Sequence, residues 1–171
     1  MGTAWPEPVE RVSSFLREAG AEARIEEFAE ETPTAEDAAA AAGCSLEQIV
    51  KSLVLVCDER PVVALVPGDR RGDQRKIAEA AGAAKARVAS PEEVLAATGF
   101  TPGAVAPFPL PRVDTVLIER SLLQHPLVWV GGGSQRYLVS LAPTELARLT
   151  RARPADLVKP RPYDSGQPKE S

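Results

Sequence analysis

Lys51 is the residue of this chain whose type and position most directly suggest chemistry. It interrupts residues 49–57, whose sequence IVKSLVLVC is otherwise almost entirely apolar. A buried ammonium is costly unless a partner satisfies it. Two interpretations are open: the aliphatic stem follows the strand until the ammonium reaches water, or the cation lies at a pocket edge, aimed at an anion or an ester carbonyl.

A second candidate is the GxxxP element of residues 103–107, with the sequence GAVAP. Glycine permits positive φ or a close approach of the backbone, and proline fixes the chain and removes a donor. Such a loop can point successive N–H groups at one spot, as an oxyanion hole requires. The same pattern is also typical of a purely structural connection.

Three consecutive glycines, residues 131–133, follow an apolar segment directly. Without side chains they allow another molecule to approach the backbone, such as a phosphate or a ribose. Ser134, Gln135 and Arg136 follow and are candidates for polar contacts. The alternative is a flexible hairpin loop between two strands.

Other catalytic arrangements are missing from the sequence. The single histidine, His125, precedes a proline in a loop, which argues against a Ser-His-Asp or Cys-His site. Cys44 and Cys57 are expected to be reduced thiols in or near the core. No metal-ligand spacing and no phosphate-binding glycine motif is found, so neither a metal nor a cofactor is expected.

The elements that must position these residues follow from periodicity and capping signals. Five helices are predicted, the second capped by Thr34, the third by Asp73 and the fourth by Ser90: residues 7–18, 35–42, 74–81, 91–98 and 143–149. Seven strands are predicted, with a turn at Arg60 and Pro61: residues 23–28, 49–57, 62–66, 85–88, 113–118, 127–130 and 137–141. This irregular interleaving predicts an α/β (α+β) fold, a mixed sheet with helices packed against it.

Length and composition limit the classes of protein to which this chain can belong. The 171 residues fit one domain, predicted over residues 1–159, with a disordered, proline-rich tail at 160–171. The net charge of −4 argues against a protein that coats DNA or RNA non-specifically. Neither a signal peptide nor a membrane span is apparent, so a cytoplasmic protein is expected.

A local basic rim is the remaining feature. Arg70, Arg71, Arg75 and Lys76 cluster around one loop and the start of the third predicted helix. They are either solvated charges on a helix face or contacts to the phosphates of a nucleic acid. In the second case binding weakens steeply with salt.

The order and spacing of the first three features resemble the YbaK/ProX family of aminoacyl-tRNA deacylases. A lysine lies in a segment like residues 48–54 (QIVKSLV), and a loop like residues 99–108 (GFTPGAVAPF) follows about fifty residues on. A strand then ends in glycines like residues 131–133. The resemblance covers roughly residues 7–158.

The resemblance implies an α/β domain around a mixed, partly barrel-like sheet. It implies hydrolysis of the ester that links a wrong amino acid to the 3′-terminal adenosine of tRNA, with Cys-tRNA(Pro) or Ala-tRNA(Pro) as the expected kind of substrate. Because no synthetase is attached, a free-standing, trans-acting enzyme without a cofactor is expected. Its implied partners are the acceptor end of the tRNA and, as a candidate, prolyl-tRNA synthetase.

The resemblance also implies roles for individual residues. Lys51 binds near the terminal phosphate or the ester carbonyl. The backbone from Gly103 to Pro107 orients the carbonyl and the attacking oxygen, which belongs to the substrate or to water. The expected substrate contacts are Ser52, Ala104, Val105, Ala106, Gly131, Gly132 and Gly133.

Three positions depart from the pattern of the family and leave the amino-acid specificity open. Ser52 stands where several relatives carry threonine or asparagine, Ala106 where some carry serine, and Glu119 where many carry aspartate. A rival hypothesis is a non-catalytic, tRNA- or synthetase-associated binding module of the same fold, because fold alone does not determine function.

Overall fold

Five α-helices and eight strands alternate irregularly along residues 4–161, the part of the chain that the computed structural model describes. The helices are α1 (Glu7–Glu18), α2 (Ala35–Ala42), α3 (Gln74–Ala80), α4 (Pro91–Thr98) and α5 (Pro143–Thr150). The strands are β1 (Ala23–Glu27), β2 (Val50–Cys57), β3 (Arg60–Pro67), β4 (Ala86–Val88), β5 (Thr115–Glu119), β6 (Val128–Gly131), β7 (Tyr137–Leu141) and β8 (Arg153–Ala155). Two 3₁₀ helices cover Leu46–Gln48 and Arg120–Gln124.

Local capping chemistry fixes the helix ends, as predicted. The Thr34 hydroxyl accepts the Asp37 N–H at 3.0 Å, and Asp73 accepts the first N–H groups of α3. Ser90 and Glu93 form the predicted capping box at the start of α4. These contacts satisfy N–H groups that have no partner within their own helix.

The predicted turn at Arg60 and Pro61 is wrong. Cys57 pairs with Arg60, so the two-residue loop of this hairpin is Asp58 and Glu59, both with positive φ (48° and 68°). Paired positive φ values match the right-handed twist of the strands that the loop joins. Pro61 instead lies within β3, next to the point where pairing with β5 begins at Val62.

The eight strands form two sheets. One is antiparallel with the order β1-β7-β6, and the other is mixed with the order β4-β2-β3-β5-β8. A single bridge between Ile49 and Trp129 links the sheets, which do not close into a barrel. The mixed α/β class is therefore confirmed, with open sheets in place of barrel closure. The sequence patterns missed β8, a strand of three residues that pairs in parallel with β5.

Both faces of the mixed sheet are buried, which explains the continuous apolar run of β3. Val63 and Leu65 face a core that includes α1, α4 and the antiparallel sheet. Val62, Ala64 and Val66 face a second core built with α3 and the C-terminal residues Leu157 and Val158. Because side chains alternate along a strand, a strand covered on both faces is apolar at every position.

The packed chain extends to Arg161, whose guanidinium pairs with Asp69 at 2.8 Å. The first two residues of the predicted tail are thus described, and residues 162–171 lie outside the described part. Among residues 4–161, no helix combines the length and apolar character needed to cross a bilayer.

Glu119 ties the C-terminal segment to the mixed sheet and yields a stability prediction. Its buried carboxylate accepts the Leu157 N–H at 2.8 Å and the Ser121 N–H at 3.2 Å. We expect Glu119→Ala to lower the free energy of unfolding by about 2–4 kcal/mol in urea titrations, because two N–H groups lose their acceptor. Glu119→Gln retains one acceptor oxygen and should cost about half as much; equal, negligible losses in both variants would contradict this role.

Candidate active site

The candidate site lies where the two sheets separate. β3 covers one edge of β2, and on the other edge β4 pairs only with residues 55–57. β6 meets that edge only at Ile49, through the bridge to Trp129. Within the described part of the chain, residues 50–53 therefore have no strand partner on this edge, and a ligand can approach the backbone there.

A cavity of about 240 Å³ opens beside this edge. Its walls come from four segments that are distant in sequence: the entry to α2, the start of β2, the GxxxP loop and the β6–β7 connection. Among the predicted site residues, the cavity is lined by Lys51, Ser52, Gly103, Ala104, Val105 and Gly131. Ser134 and Gln135 also line it, whereas Arg136 turns away to the Phe28 carbonyl at 2.9 Å.

Lys51 is half-buried and points to the loop that follows β3. Its Nζ donates a hydrogen bond to the Arg70 carbonyl oxygen at 2.7 Å, and it forms no ion pair with any described residue. Burial lowers the pKa of the Lys51 ammonium; Asp69 and Glu36 oppose this shift, and Arg71 adds to it. An ammonium has three N–H donors, so two remain for a ligand.

The GxxxP loop divides into an exposed half and an anchored half. Gly103 (φ +86°), Ala104 and Val105 line the cavity, whereas Ala106 and Pro107 are buried in the core beneath it. The Ala104 N–H is already bound to the Thr101 carbonyl at 3.0 Å. The Gly103 and Val105 N–H groups have no acceptor among residues 4–161 and are the donors left for a ligand.

The three glycines are required mainly by the protein's own packing. A Cβ built at Gly131 lies 2.7 Å from the Val105 carbonyl oxygen, so a side chain there would displace the GxxxP loop. At Gly132 the nearest atom is the Tyr137 carbonyl oxygen at 2.9 Å, and at Gly133 it is the Pro8 carbonyl oxygen at 2.8 Å. Of the three, only Gly131 lines the cavity; Gly132 and Gly133 are buried away from it.

Ser52 lines the cavity, and its hydroxyl has no hydrogen-bond partner among the described residues. Its Oγ is buried, and it is one of two such side-chain atoms among the described residues. A buried hydroxyl without a partner costs about 1–3 kcal/mol. A bound ligand with a polar group at this place removes that cost.

One wall of the cavity, at the entry to α2, was not predicted from the sequence. It is formed by Thr32, Thr34, Ala35 and Ala38. The Gln135 carbonyl accepts both the backbone N–H and the hydroxyl of Thr32, at 2.7 and 2.8 Å. This contact spans more than one hundred residues of sequence, and no local motif signals it. The capping signal at Thr34 located the helix without indicating what it faces.

The four residues of the predicted basic rim differ in their contacts. Arg70 donates to the Lys159 carbonyl at 2.7 Å, and Lys76 pairs with Asp156 at 3.0 Å. Both cations are thus engaged by the C-terminal segment. Arg71 and Arg75 are exposed and remain the accessible members of the predicted rim.

No side chain in the cavity is an activated nucleophile. His125 lies at the end of the second 3₁₀ helix and does not line the cavity. Burial raises the pKa of both cysteine thiols, which disfavours the reactive thiolate. Among residues 4–161 no cluster of three potential metal ligands is present. The arrangement is suited to binding and orienting a ligand whose reaction uses its own nucleophile or water.

The fold and the cavity thus define a small α/β domain that positions a ligand. The aminoacyl-tRNA editing domain family matches residues 29–149, and the chain belongs to this family, the YbaK/ProX type. A crystal structure described as a proposed trans-editing enzyme for prolyl tRNA synthetase is similar over 92% of this chain and 100% of that one, with a TM-score of 0.86 and 36% identity.

Two curated relatives are similar in sequence. EbsC of Enterococcus faecalis, named as a proposed Cys-tRNA(Pro)/Cys-tRNA(Cys) deacylase, is 29% identical over 131 residues, which are 76% of this chain and 80% of that protein. A proline–tRNA ligase of Nitratidesulfovibrio vulgaris is 35% identical over 102 residues, 60% of this chain. That match spans only 18% of the ligase, so the likeness is to one part of a larger enzyme.

Two glycines with positive φ allow the packing interpretation of the glycine loop to be tested. Gly20 (φ +60°) has nothing within 4 Å of a built Cβ, whereas Gly133 (φ +102°) meets the Pro8 carbonyl. We expect Gly133→Ala to lower the free energy of unfolding by at least about 2 kcal/mol more than Gly20→Ala, because it adds a backbone clash to a φ that is no less strained for a side chain than that of Gly20. Equal losses in thermal or urea unfolding would show that this loop has room for another molecule.

Proposed function

We propose that this chain is a trans-acting aminoacyl-tRNA deacylase that hydrolyses the ester of mischarged tRNA, with Cys-tRNA(Pro) or Ala-tRNA(Pro) as substrates. The observation that carries the proposal is the single cavity lined by Lys51, Gly103 and Val105 at the unpaired edge of β2. The names of EbsC and of the trans-editing enzyme support the same reaction and the same class of tRNA.

Lys51 supplies the positive charge. Two of its N–H donors are left by the bond to the Arg70 carbonyl, and they are available to the terminal phosphate or the ester carbonyl of the substrate. A half-buried cation attracts a negatively charged group more strongly than a cation in water does, because the local dielectric constant is lower. The bond to Arg70 fixes the amine in advance of binding, so less reorganisation is needed during the reaction.

The GxxxP loop supplies backbone donors. The Gly103 and Val105 N–H groups face the developing oxyanion or hold the attacking oxygen, while the buried Ala106 and Pro107 anchor the loop. An aminoacyl ester is already activated, so orientation and electrostatic stabilisation suffice without a protein nucleophile. The attacking oxygen comes from water or the ribose, or the substrate's own thiol attacks when cysteine is the amino acid.

Ser52 and Gly131 complete the proposed substrate site. The buried Ser52 hydroxyl lacks a partner, and it would pair with a polar group of the acyl-adenosine if binding brings the two into contact, since a hydroxyl both donates and accepts. Gly131 lines the cavity, and because it has no side chain the Val105 carbonyl can lie close to its backbone. Gly132 and Gly133 support this position from the core.

The alternative is a non-catalytic module of the same fold that binds tRNA or a synthetase. Such a module would bind tRNA without releasing an amino acid from any member of a substrate panel.

The principal test is Lys51→Met on a panel of Cys-tRNA(Pro), Ala-tRNA(Pro), Cys-tRNA(Cys) and correctly charged Pro-tRNA(Pro). We expect release of cysteine or alanine from tRNA(Pro) above the buffer rate, and a loss of about 10²–10³ in kcat for the variant, because one electrostatic contact in the transition state is removed. Methionine keeps the length of the apolar stem and lacks the terminal amine, so the variant should remain folded.

The matched control is Lys85→Met, which removes an exposed lysine that does not line the cavity. This control should deacylate at the wild-type rate and have a wild-type thermal transition. Tight tRNA binding without release from any panel member would replace the enzyme with the binding module. Full activity of folded Lys51→Met would exclude the proposed role of the ammonium.

Arg71 and Arg75 give a separate prediction about tRNA affinity. If these exposed side chains contact phosphates, the double variant Arg71→Ala/Arg75→Ala should reduce the slope of log K against log salt concentration by about 1–2, since each contact releases about one counterion. The control Arg24→Ala/Arg148→Ala changes the net charge equally at other elements. Identical slopes for the two double variants in filter binding would remove Arg71 and Arg75 from the tRNA interface.

A further inference from the structure

The C-terminal segment is bound to the loop that holds Lys51. We call residues 156–161 the C-terminal strap. Its Leu157 carbonyl accepts the Asp73 N–H at 2.8 Å, and its Lys159 N–H donates to the Arg71 carbonyl at 2.8 Å. Val158 bridges Gly72. The strap therefore runs along the whole of the 69–73 loop as an added extended segment.

Side chains reinforce the same contact. Arg70 donates to the Lys159 carbonyl at 2.7 Å, Lys76 to the Val158 carbonyl at 2.8 Å, and Arg161 pairs with Asp69 at 2.8 Å. The loop fixed in this way presents the Arg70 carbonyl oxygen, which accepts the Lys51 ammonium at 2.7 Å. One hydrogen-bonded chain thus connects the strap to the amine at the cavity.

The strap lies outside the part of the chain that the editing-domain family matches, which ends at residue 149. Lys51 lies inside it. A segment that follows the residues matched by the family model thus contacts the loop on which the proposed substrate-binding amine depends.

We propose that Asp69 and Arg161 are positioning residues for Lys51. The strap is then part of the working site, because Arg161 pairs with the Asp69 carboxylate and keeps the Lys51 ammonium available to a ligand in the cavity. This inference rests on the proposed function for its effect on rate. Its structural part, the placement and charge environment of Lys51, stands independently of any activity.

The charges around Lys51 give the physical reason. Asp69 is the carboxylate with the largest effect on the ammonium, Glu36 acts from α2 in the same direction, and Arg71 acts against both. Asp69 binds Arg161 through Oδ2, and its Oδ1 is buried without a partner. When the guanidinium is removed, the Asp69 carboxylate becomes the strongest available partner for the ammonium. Lys51 then moves from the Arg70 carbonyl towards an ion pair that competes with the substrate.

Two substitutions are therefore expected to shift the pKa of Lys51 in opposite directions. In Arg161→Ala the Asp69 charge is no longer neutralised, so the pKa of Lys51 rises. In Asp69→Asn the supporting carboxylate is absent, so the pKa of Lys51 falls. In both variants the loop loses the Asp69–Arg161 ion pair and keeps its backbone bonds to the strap. We expect kcat/KM for mischarged tRNA to fall by about tenfold, a loss larger than that of a surface ion pair and smaller than that of a displaced catalytic group.

The experiment uses the full chain with lysine ¹³Cε labelling, and follows the Lys51 resonance by NMR as a function of pH alongside deacylation of Cys-tRNA(Pro). Arg161→Lys should restore the wild-type Lys51 titration and most of the rate. Asp69→Asn/Arg161→Ala should abolish the rise seen in Arg161→Ala. Arg148→Ala, which breaks the 2.8 Å pair with Glu145 on α5, is the control for the loss of an arginine–carboxylate pair.

The proposal is overturned when the Lys51 resonance titrates identically in wild type, Arg161→Ala and Asp69→Asn, or when the two variants lose no more rate than Arg148→Ala. Opposite shifts of the titration, with rates restored by Arg161→Lys, establish it. If the wild type releases no amino acid from any tRNA, the deacylase function fails, and the NMR titration still decides the positioning of Lys51. A variant with a lowered thermal transition and an unchanged Lys51 titration assigns the strap a structural role alone and contradicts the proposal.

Discussion

The hydrogen bond from the Lys51 ammonium to the Arg70 carbonyl, at 2.7 Å, is the contact on which the site depends. It holds a cation in a half-buried place without neutralising it, because a carbonyl dipole satisfies one donor and leaves the net charge unpaired. Burial lowers the pKa of this amine, and Asp69 and Glu36 moderate the shift. A carboxylate in the place of the carbonyl would stabilise Lys51 more and leave less of its field for a ligand.

The rest of the fold provides the space beside that amine. β6 departs from β2 after one bridge, β4 joins β2 only at residues 55–57, and the GxxxP loop fills part of the gap. The unpaired edge between these points lies beside the Gly103 and Val105 N–H groups, which have no acceptor among the described residues. Glycine at 131 keeps two backbone segments close, since a Cβ there would meet the Val105 carbonyl, and glycine at 103 adopts a positive φ of +86°.

Stability and site geometry share the same C-terminal residues. Leu157 and Val158 complete the second core, and the Leu157 N–H binds the Glu119 carboxylate. The neighbouring strap residues bind the 69–73 loop. A change in this segment therefore affects folding and the surroundings of Lys51 together, which is why a readout at the Lys51 amine is needed to separate the two effects.

The sequence alone determined the helix ends, most strands and the family resemblance, because caps, periodicity and short motifs are local properties. It also selected Lys51 and the GxxxP loop as candidates, and the fold brings both to one cavity. The predicted position of the turn was wrong, because Pro61 is a strong turn signal in sequence. Asp58 and Glu59 form the actual turn, and their positive φ values become evident only from the pairing of β2 with β3. The tertiary structure alone decided that Thr32 and α2 form a cavity wall, that Gly132 and Gly133 support the protein's own backbone, and that Arg70 and Lys76 bind the strap. Each of these depends on contacts between segments far apart in the chain, and such contacts leave no periodic or local signal in the residues that make them.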